Sequence, residues 1–485
     1  MTLAITPLLV PLATSLLCVL TQRAPRLQRG ISLGGAVTLL FCALALLQQV
    51  LEQGTVRAVA GAWPLPFGIE FAADRLGAAL VMVAALMVTV ALVWQFSDVD
   101  SAPASPVLHP LLHGLVAGAG AAFVTADLFN LYVWFEVALI CALGLLVQGG
   151  GLRQLDATLK YFALNLVGTL LLLAAIGLLY AATGQLNFTA LGGAAAGLDA
   201  AVLLPLLGML VLAFLVKAAA FPFFAWLPAS YHTLPAPVLA LFSALLTKVG
   251  ICALARTLGG VFQPAPGLLF ELLGWIALLS MLTGVLGAAY HWDLRRILAF
   301  HSISQIGYML LAVSLDSQAG TAAAIFFALH HSLVKTGLFL AAALIFHHAG
   351  HYDLRRVGGL YATRPGLAAV FFLLALALVG IPPLSGFWGK YLIIRECFVQ
   401  EAYLWAATAL LVGALTLYSM VKIWLEAFWK PHPAQGRPPL PPARLAPAHA
   451  ALGVIVVAVL WLGLFPERLI RFVTAAAATL AGGGS

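Results

Sequence analysis

Two lysines lie in stretches of sequence that are apolar enough to cross a bilayer. Lys217 lies in Leu-Val-Lys217-Ala-Ala-Ala-Phe-Pro222, so a proline interrupts the helix that carries it, and Lys248 lies in the next apolar stretch. A charge at membrane depth costs roughly 2.5–3.5 kcal/mol on insertion scales and marks ion or proton paths. A broken helix beside it exposes backbone polar groups that only a protein-lined or water-lined cavity can satisfy. The chemistry expected of this region is therefore the movement of ions or protons.

A second broken stretch follows about 160 residues further on, in Gly380-Ile-Pro-Pro-Leu-Ser-Gly-Phe-Trp-Gly-Lys390. It again has prolines inside an apolar run and ends on a lysine. Lys390 lies seven residues past Pro383 and is a candidate for the last site before the outside. The repetition predicts two related, helix-interrupted units of one translocation path.

A carboxylate is expected to partner the first lysine. Asp127 is positioned to cap an apolar segment, and Glu136 lies nine residues further on. At ~1.5 Å per residue, Glu136 is ~13 Å deep, near the midplane of a ~30 Å hydrocarbon core. An unpaired carboxylate there would take up a proton, so we expect Glu136 to pair with Lys217 at similar depth. The alternative is a buried pair that only fixes helix register, for which a broken helix alongside is not needed.

Further lysines lie near the middle of apolar segments, at Lys248 and Lys335. Burial favours the neutral form of a lysine and a carboxylate neighbour favours the charged form, so a lysine whose partner moves can bind and release a proton. The alternative is snorkelling to an interface. It fits Lys422, which is near a segment end and four residues from Glu426, and it fits Lys217 and Lys248 poorly.

Histidines could carry protons between these lysines near neutral pH. His330 and His331 are adjacent, so at most one of them lines a path on a helix. We prefer His331, which is four residues from Lys335 on the same face, and keep His330 as the second candidate. Alternatively, one is a hydrogen-bonded core histidine and the other only packs in the core. His232, just after the first broken stretch, is either a point where protons enter or an ordinary loop histidine.

No cofactor and no metal is expected. Two histidine clusters contain an i,i+4 pair but have no acidic or cysteine partner at ligand spacing. They are His347, His348 and His351, and separately His109 and His113. No glycine-rich nucleotide motif or Cys-x-x-Cys occurs in a credible setting, and the five cysteines are scattered over mostly apolar segments.

These residues belong to a chain of 485 residues, 63% hydrophobic and 8% charged, which is the composition of an all-α, polytopic membrane protein. The net charge of +7 does not indicate nucleic acid, because the basic residues are not clustered on a soluble face. About fourteen apolar runs are long enough to be transmembrane helices. They fall near residues 3–21, 31–51, 75–96, 108–125, 128–148, 158–183, 201–229, 236–257, 268–290, 296–315, 321–346, 366–397, 402–428 and 448–465.

The basic residues in the loops indicate orientation. Thirteen lie on one side: Arg23, Arg26, Arg29, Arg153, Lys160, Arg295, Arg296, Arg355, Arg356, Arg364, Lys430, Arg437 and Arg444. Six lie on the other: Arg57, Arg75, Arg256, Arg395, Arg468 and Arg471. By the positive-inside rule the first side is cytoplasmic, so both termini lie outside.

The order of the segments predicts an inverted repeat, with segments four to eight equivalent to segments nine to thirteen. Segments seven and twelve are the broken ones, and the segments after them carry Lys248 and Lys422. Five helices separate each pair, an odd number, so equivalent helices run in opposite directions. We expect N-terminal helices over 1–107, the two repeats over 108–257 and 258–428, and a proline-rich linker with a last helix over 429–485.

Four stretches resemble one family, the proton-translocating antiporter-like membrane proteins. They are Asp127-Leu-Phe-Asn-Leu-Tyr-Val-Trp-Phe-Glu136, Val216-Lys217 to Trp226-Leu-Pro228, Arg295-Arg-Ile-Leu-Ala-Phe-His-Ser-Ile-Ser-Gln-Ile-Gly307 and Ile381-Pro-Pro-Leu-Ser-Gly-Phe-Trp-Gly-Lys390. The family includes the membrane-arm subunits of respiratory complex I and related hydrogenases, and the large subunits of Mrp cation/proton antiporters. Within the family, the first stretch is most similar to the Mrp branch. His301 departs from the pattern, because a small hydroxyl residue is expected there, and Cys141-Ala-Leu-Gly replaces a more polar tail.

The resemblance implies that Glu136 and Lys217 form a coupling pair, that Lys248 is a central relay and that Lys390 is the terminal lysine. It implies a secondary transporter subunit rather than an enzyme, working in a bacterial inner membrane with other membrane subunits of one complex. The first interpretation is a Na⁺/H⁺ antiporter in which protons move through this chain. The second is the proton-pumping arm of an NADH-quinone oxidoreductase or membrane-bound hydrogenase. The third, from another class, is a membrane scaffold whose charges only fix register.

Overall fold

The computed structural model describes residues 2–61, 63, 68–97, 99, 105–431 and 445–482. Within them, twelve helices are long and apolar enough to cross a membrane, and two shorter apolar helices, Leu108–Val124 and Pro365–Val379, lie in the remaining predicted segments. The prediction of an all-α polytopic membrane protein with about fourteen spanning segments is therefore confirmed. Most of the proline-rich linker, with Arg437 and Arg444, lies outside the described residues.

The N-terminal part contains three long helices and one hairpin. They are α1 (Thr6–Leu20), α2 (Pro25–Gln53), β1 (Val56–Ala60), β2 (Ile69–Ala73) and α3 (Arg75–Trp94). The strands pair antiparallel, Val56 opposite Ala73. The hairpin was not predicted. Its five-residue strands lie in a loop, and hydropathy indicates only that this loop does not span the membrane.

The middle of the chain forms the first broken-helix unit. Its elements are α4 (Leu108–Val124), α5 (Leu128–Val147), α6 (Leu152–Thr183), α7 (Phe188–Ala195), α8 (Ala200–Ala218), α9 (Trp226–Tyr231) and α10 (Ala236–Arg256). Together α8 and α9 occupy the seventh predicted segment, and Pro222 lies in the gap between them. Since α10 is buried along its whole length, it is the centre of the bundle.

The second broken-helix unit and two terminal helices follow. The elements are α11 (Gly267–Tyr290), α12 (Leu294–Ser314), α13 (Gln318–Ala349), α14 (Leu360–Thr363), α15 (Pro365–Val379), α16 (Ser385–Val399), α17 (Tyr403–Trp424), α18 (Ala446–Leu464) and α19 (Pro466–Ala481). The break between α15 and α16 contains Pro382 and Pro383, as predicted.

Equivalent contacts recur at one fixed spacing. Asp127 caps α5 and forms a β-bridge with Asn187; 166 residues later, Asp293 caps α12 and forms a β-bridge with Asp353. Both 293 minus 127 and 353 minus 187 give 166. In each pairing, the residue that caps a helix contacts the turn that follows the next helix. The same arrangement of secondary structure therefore occurs twice in the chain.

The helix contacts follow the same spacing. A side chain at Gly118 of α4 would meet the backbone nitrogen of Ala138 in α5, and one at Gly284 of α11 would meet that of Ser304 in α12. Again 284 minus 118 and 304 minus 138 give 166. In both pairs glycine lets the two backbones approach closely, as small residues do in membrane bundles.

The two units run in opposite directions. The start of α5 lies beside the end of α10, where Arg256 Nη1 donates to the Thr125 carbonyl at 3.2 Å. The start of α12 lies beside the start of α10, where Arg296 Nη2 is 3.5 Å from Nε2 of His232. Because α10 spans the bundle, α5 and α12 begin on opposite faces. This is the predicted inverted relation.

The last helix, α19, was not predicted from sequence. It packs on α3 and α13, with Arg75 donating to the Ala475 carbonyl and Gln318 to the Thr474 carbonyl, each at 3.5 Å. Its two arginines, Arg468 and Arg471, alternate with apolar positions, so it has a polar and an apolar side. This pattern is typical of a helix that lies along the membrane interface.

A buried ion pair ties three helices together at the Asp127 end of the bundle. Arg256, the last residue of α10, donates to Asp74 Oδ1 at 2.8 Å and to the Phe123 carbonyl at 2.9 Å. Asp74 also accepts from the Gly77 amide and caps α3. The pair therefore joins the ends of α3, α4 and α10.

We expect Arg256→Leu to lower the free energy of unfolding by about 3–5 kcal/mol, because it leaves the buried Asp74 carboxylate unpaired. The measurement is the thermal unfolding midpoint of the purified protein in detergent. The matched control is Lys160→Ala, which removes an ion pair whose two side chains are more than half exposed; its midpoint should not move measurably. Equal midpoints for Arg256→Leu and wild type would contradict the assignment.

Candidate functional site

A carboxylate and a hydroxyl half-way along α5 and α6 meet an ammonium group at the end of α8. Thr169 Oγ1 donates to Glu136 Oε1 at 2.5 Å, and Lys217 Nζ donates to Thr169 Oγ1 at 2.9 Å. The direct Lys217 Nζ to Glu136 Oε1 distance is 3.4 Å. The predicted contact between Glu136 and Lys217 is thus present, and the hydroxyl of Thr169 bridges it. We refer to these three residues as the triad.

The helix break places Lys217 at the end of a helix rather than inside one. Helix α8 ends at Ala218, and Ala219 adopts φ 58°, ψ 43°, a left-handed conformation that a helix terminus uses when no glycine is present. The Trp226 indole donates to the Val216 carbonyl at 3.0 Å, and the Phe221 amide donates to Ser280 Oγ at 2.9 Å. Side chains of neighbouring elements therefore satisfy backbone groups near the break, as a membrane interior requires.

Three further predicted residues lie together in the centre of the bundle. Lys248 Nζ donates to the Ser243 carbonyl one turn earlier in α10. Lys335 Nζ donates to the Leu298 carbonyl of α12 at 2.7 Å. The ring of His331 lies within electrostatic reach of both ammonium groups. Neither ring nitrogen of His331 has a hydrogen-bond partner among the described residues. This arrangement fits the preferred position of His331 on the Lys335 face.

The neighbouring histidine takes a different role. His330 Nδ1 is 2.8 Å from Ser385 Oγ, at the start of α16. It therefore points toward the second break. One of the two histidines was expected to be a hydrogen-bonded core residue, and His330 has that position. The ring also lies within electrostatic reach of Lys390.

Lys390 reaches back to the second break. Its Nζ donates to the carbonyl of Val379, the last residue of α15, at 2.8 Å, and lies 4.8 Å from the Tyr308 ring centre. It also lines a cavity of about 380 Å³ with Gly380 and Tyr391. A carbonyl at a helix end has no intrahelical partner, so the break supplies the acceptor that a buried ammonium group needs.

His232 lies at the opposite end of the bundle from Asp127. It lines a cavity of about 450 Å³ with Lys160 and Arg296, and its Nδ1 is 3.0 Å from the Pro228 carbonyl. Burial lowers the pKa of His232, the hydrogen bond to Pro228 opposes this, and the charges of Arg296 and Arg295 lower the pKa further. The net effect is a lowered pKa for His232, which favours the neutral form of the ring.

Two predicted residues lie away from this row of polar groups. Asp127 accepts from the Asn130 amide at 2.7 Å and serves as the cap of α5. Lys422 donates to the Ala289 and His291 carbonyls at 2.8 and 2.6 Å, which caps the end of α11. The snorkelling interpretation of Lys422 therefore fits, although its expected neighbour Glu426 pairs with Lys430 instead, at 2.7 Å.

Sequence reasoning missed Thr169. A threonine inside an apolar helix carries no charge and is common, so the only available signal was a hydroxyl near the middle of the sixth segment. Its importance comes from tertiary contact: Glu136 lies 33 residues earlier on a neighbouring helix. No spacing rule within one helix could have joined the two.

The fold and site define a class: membrane-embedded subunits with an inverted five-helix repeat, two broken helices and a buried row of lysines. Residues 125–416 match the family described as NADH:quinone oxidoreductase/Mrp antiporter, transmembrane. The chain belongs to this family, as its motifs predicted.

Individual relatives and solved structures are similar to this chain over most of its length. The chain is 40% identical over 428 residues to the D subunit of the Na(+)/H(+) antiporter of Alkalihalophilus pseudofirmus, covering 88% of this chain and 87% of the relative. It is 34% identical to the Bacillus subtilis protein of the same name, covering 88% and 86%. Among solved structures it resembles a chain of the Mrp complex from Dietzia sp. DQ12-45-1b, with 31% identity, a TM-score of 0.90, and coverage of 99% and 97%. A chain of respiratory complex I from Thermus thermophilus matches with 26% identity, a TM-score of 0.86 and full coverage of both.

We expect Arg296→Gln to raise the pKa of His232 toward its ordinary value, because removing a nearby positive charge favours the protonated ring. The measurement is the pH dependence of acylation of the His232 peptide by diethyl pyrocarbonate, followed by mass spectrometry, since only the neutral ring reacts. Arg153→Gln is the control: it lines the same cavity but does not shift the pKa of His232. An unchanged profile in Arg296→Gln would contradict the assignment.

Proposed function

We propose that this chain is the proton-translocating subunit of a multi-subunit Na⁺/H⁺ antiporter. The observation that carries the proposal is the triad of Glu136, Thr169 and Lys217 at a helix break, followed by Lys248, His331 and Lys335 in the bundle centre. Charges at this depth are costly and are retained where ions or protons move. The identity to antiporter D subunits supports the same function.

In this mechanism the triad controls whether Lys217 keeps its proton, and the other lysines pass protons across the bundle. While Glu136 is charged and close, it holds the proton on Lys217 through direct and Thr169-bridged contacts. When that contact weakens, the buried ammonium group loses its only charged partner in the triad and releases its proton. The released proton passes by Lys248, His331 and Lys335 toward Lys390. His232, in its cavity on the other face, is the proposed point of uptake.

We propose that a partner subunit covers the triad. The Glu136 side chain is 23% exposed at the bundle surface although it lies half-way along a membrane helix. A carboxylate that faces lipid there is costly, whereas one that faces another subunit can be paired. The partners would be other membrane subunits of one antiporter complex, and Na⁺ and H⁺ the transported ions.

The orientation follows from charge. We propose a multi-pass protein of the bacterial inner membrane with both termini on the periplasmic side, because the basic loops include the face that holds His232 and Arg296. We also propose functional units at 1–107, 108–257, 258–428 and 429–485. The 166-residue spacing of equivalent contacts supports the two central units.

The alternative is a proton-pumping arm of a redox enzyme, such as an NADH-quinone oxidoreductase. It would use the same row of residues with a different energy source. The similarity to a complex I chain supports this alternative. However, the sequence identity to that chain is 26%, whereas the identity to an antiporter D subunit is 40%. Antiport is therefore the better supported function.

The deciding experiment measures Na⁺-dependent collapse of a pH gradient in everted vesicles that hold the whole complex. We expect wild type to respond, and Glu136→Gln, Lys217→Ala and Lys390→Ala to lose at least about 90% of the flux while the complex still assembles, because each interrupts the proton path. Subunit levels are checked by blot. If Na⁺ has no effect on wild type but an electron donor builds a gradient, the redox alternative is correct. Normal exchange in assembled Lys217→Ala would refute the proposal.

We expect Thr169→Val to slow antiport at least about tenfold, because valine keeps the shape but removes the hydroxyl that joins Glu136 to Lys217; losing a hydrogen bond to a charged group costs about 1.5–3 kcal/mol. Thr169→Ser, which restores the hydroxyl, is the matched control and should retain more than half of the flux. The assay is the same vesicle experiment. Similar rates for valine and serine would show that the bridge has no role.

A further inference from the structure

One face of α12 runs between the two lysines of the second unit. Leu298, whose carbonyl accepts from Lys335, and Tyr308, whose ring lies under Lys390, are ten residues apart, ~15 Å along the helix. Proton transfer requires partners at hydrogen-bond distance, about 2.6–3.2 Å. Transfer from Lys335 to Lys390 along this face therefore needs intermediate groups.

The same face carries two polar side chains between these contacts. His301 and Gln305 follow Leu298 by three and seven residues, a spacing that keeps all of them on one side of a helix together with Tyr308. Both side chains are 0% exposed. The ring of His301 lies within electrostatic reach of Lys335, Lys390 and also Lys422.

Both side chains have unused hydrogen-bonding atoms. His301 Nε2 is 3.0 Å from Ser419 Oγ of α17, but Nδ1 has no partner among the described residues. Neither the oxygen nor the nitrogen of the Gln305 amide has one in the same part of the chain. Buried polar atoms are nearly always hydrogen-bonded, so a cluster of open ones calls for an explanation such as a functional role.

We propose that His301, assisted by Gln305, carries protons between Lys335 and Lys390. The inference rests on the proposed antiport function and adds a relay residue to it. The ring accepts a proton from the Lys335 side at one nitrogen and gives up a proton from the other nitrogen toward Lys390. It is left as the other neutral tautomer and resets by reorientation, so no net proton stays on it. The Gln305 amide does not itself carry the proton; because it both donates and accepts hydrogen bonds, it positions the transfer on the side of Lys390.

His301→Gln tests the link in everted vesicles that hold the whole complex. Glutamine can keep a hydrogen bond to Ser419 but does not carry a proton. We expect normal assembly and at least a tenfold loss of Na⁺-dependent proton flux. The control is His109→Gln: His109 is also buried and 2.9 Å from a serine hydroxyl, that of Ser32 in α2. Its flux should stay within twofold of wild type.

Gln305→Leu, which leaves the His301 to Ser419 contact in place, makes the same test if His301→Gln does not assemble. It should also lower the flux at least tenfold. Flux within twofold of wild type in an assembled His301→Gln or Gln305→Leu complex overturns the link and leaves the antiport function intact. If wild type itself shows no Na⁺-dependent flux, the proposed antiport function is wrong, and the proposed transfer through His301 is wrong with it.

Discussion

A buried ammonium group must have an oxygen to donate to, and this requirement shapes the middle of the molecule. Lys217 donates to a hydroxyl and lies near a carboxylate, whereas Lys248, Lys335 and Lys390 each donate to one backbone carbonyl. A carbonyl is a good acceptor but carries no net charge, so it satisfies a hydrogen bond of the lysine without compensating the charge. Broken helices serve the same need, since the end of α15 supplies the free acceptor for Lys390. Three of the four lysines are therefore held in position by groups that carry no compensating charge.

The inverted repeat places different side chains at equivalent positions of its two halves. At the 166-residue spacing, Glu136 of α5 corresponds to Ser302 of α12, and Thr169 of α6 corresponds to Lys335 of α13. The first unit thus places a carboxylate and a hydroxyl where the second places a hydroxyl and an ammonium group. One backbone plan holds an ion pair in the first half and, in the second, a lysine that donates to a backbone carbonyl. At these positions the two halves differ in side chains and not in scaffold, which is why we assign coupling to the first half and conduction to the second in the proposed mechanism.

Charge inside apolar sequence was enough to predict the fold class, the two breaks and the contact between Glu136 and Lys217, because such residues are costly and few. Neutral polar residues gave no comparable signal. Thr169 lies in a run of leucines and gains its place only from a neighbouring helix, and His301 stood out only as a departure from a family pattern. Helix α19 was missed for the opposite reason: its two arginines lower the hydropathy, while its apolar side is satisfied by contact with α3 and α13.

The balance of charge along the row limits how it can work. In the part of the chain that the structure describes, Glu136 is the carboxylate that contacts these lysines, so it can compensate one ammonium group. Lys248 and Lys335 lie within electrostatic reach of each other and of the His331 ring, and like charges in a low-dielectric interior repel over longer distances than in water. A proton on one of them therefore disfavours a proton on the other. In the proposed mechanism, opening the Glu136 to Lys217 contact would add uncompensated positive charge at one end of the row and favour proton release at the other, which would link the triad to Lys390.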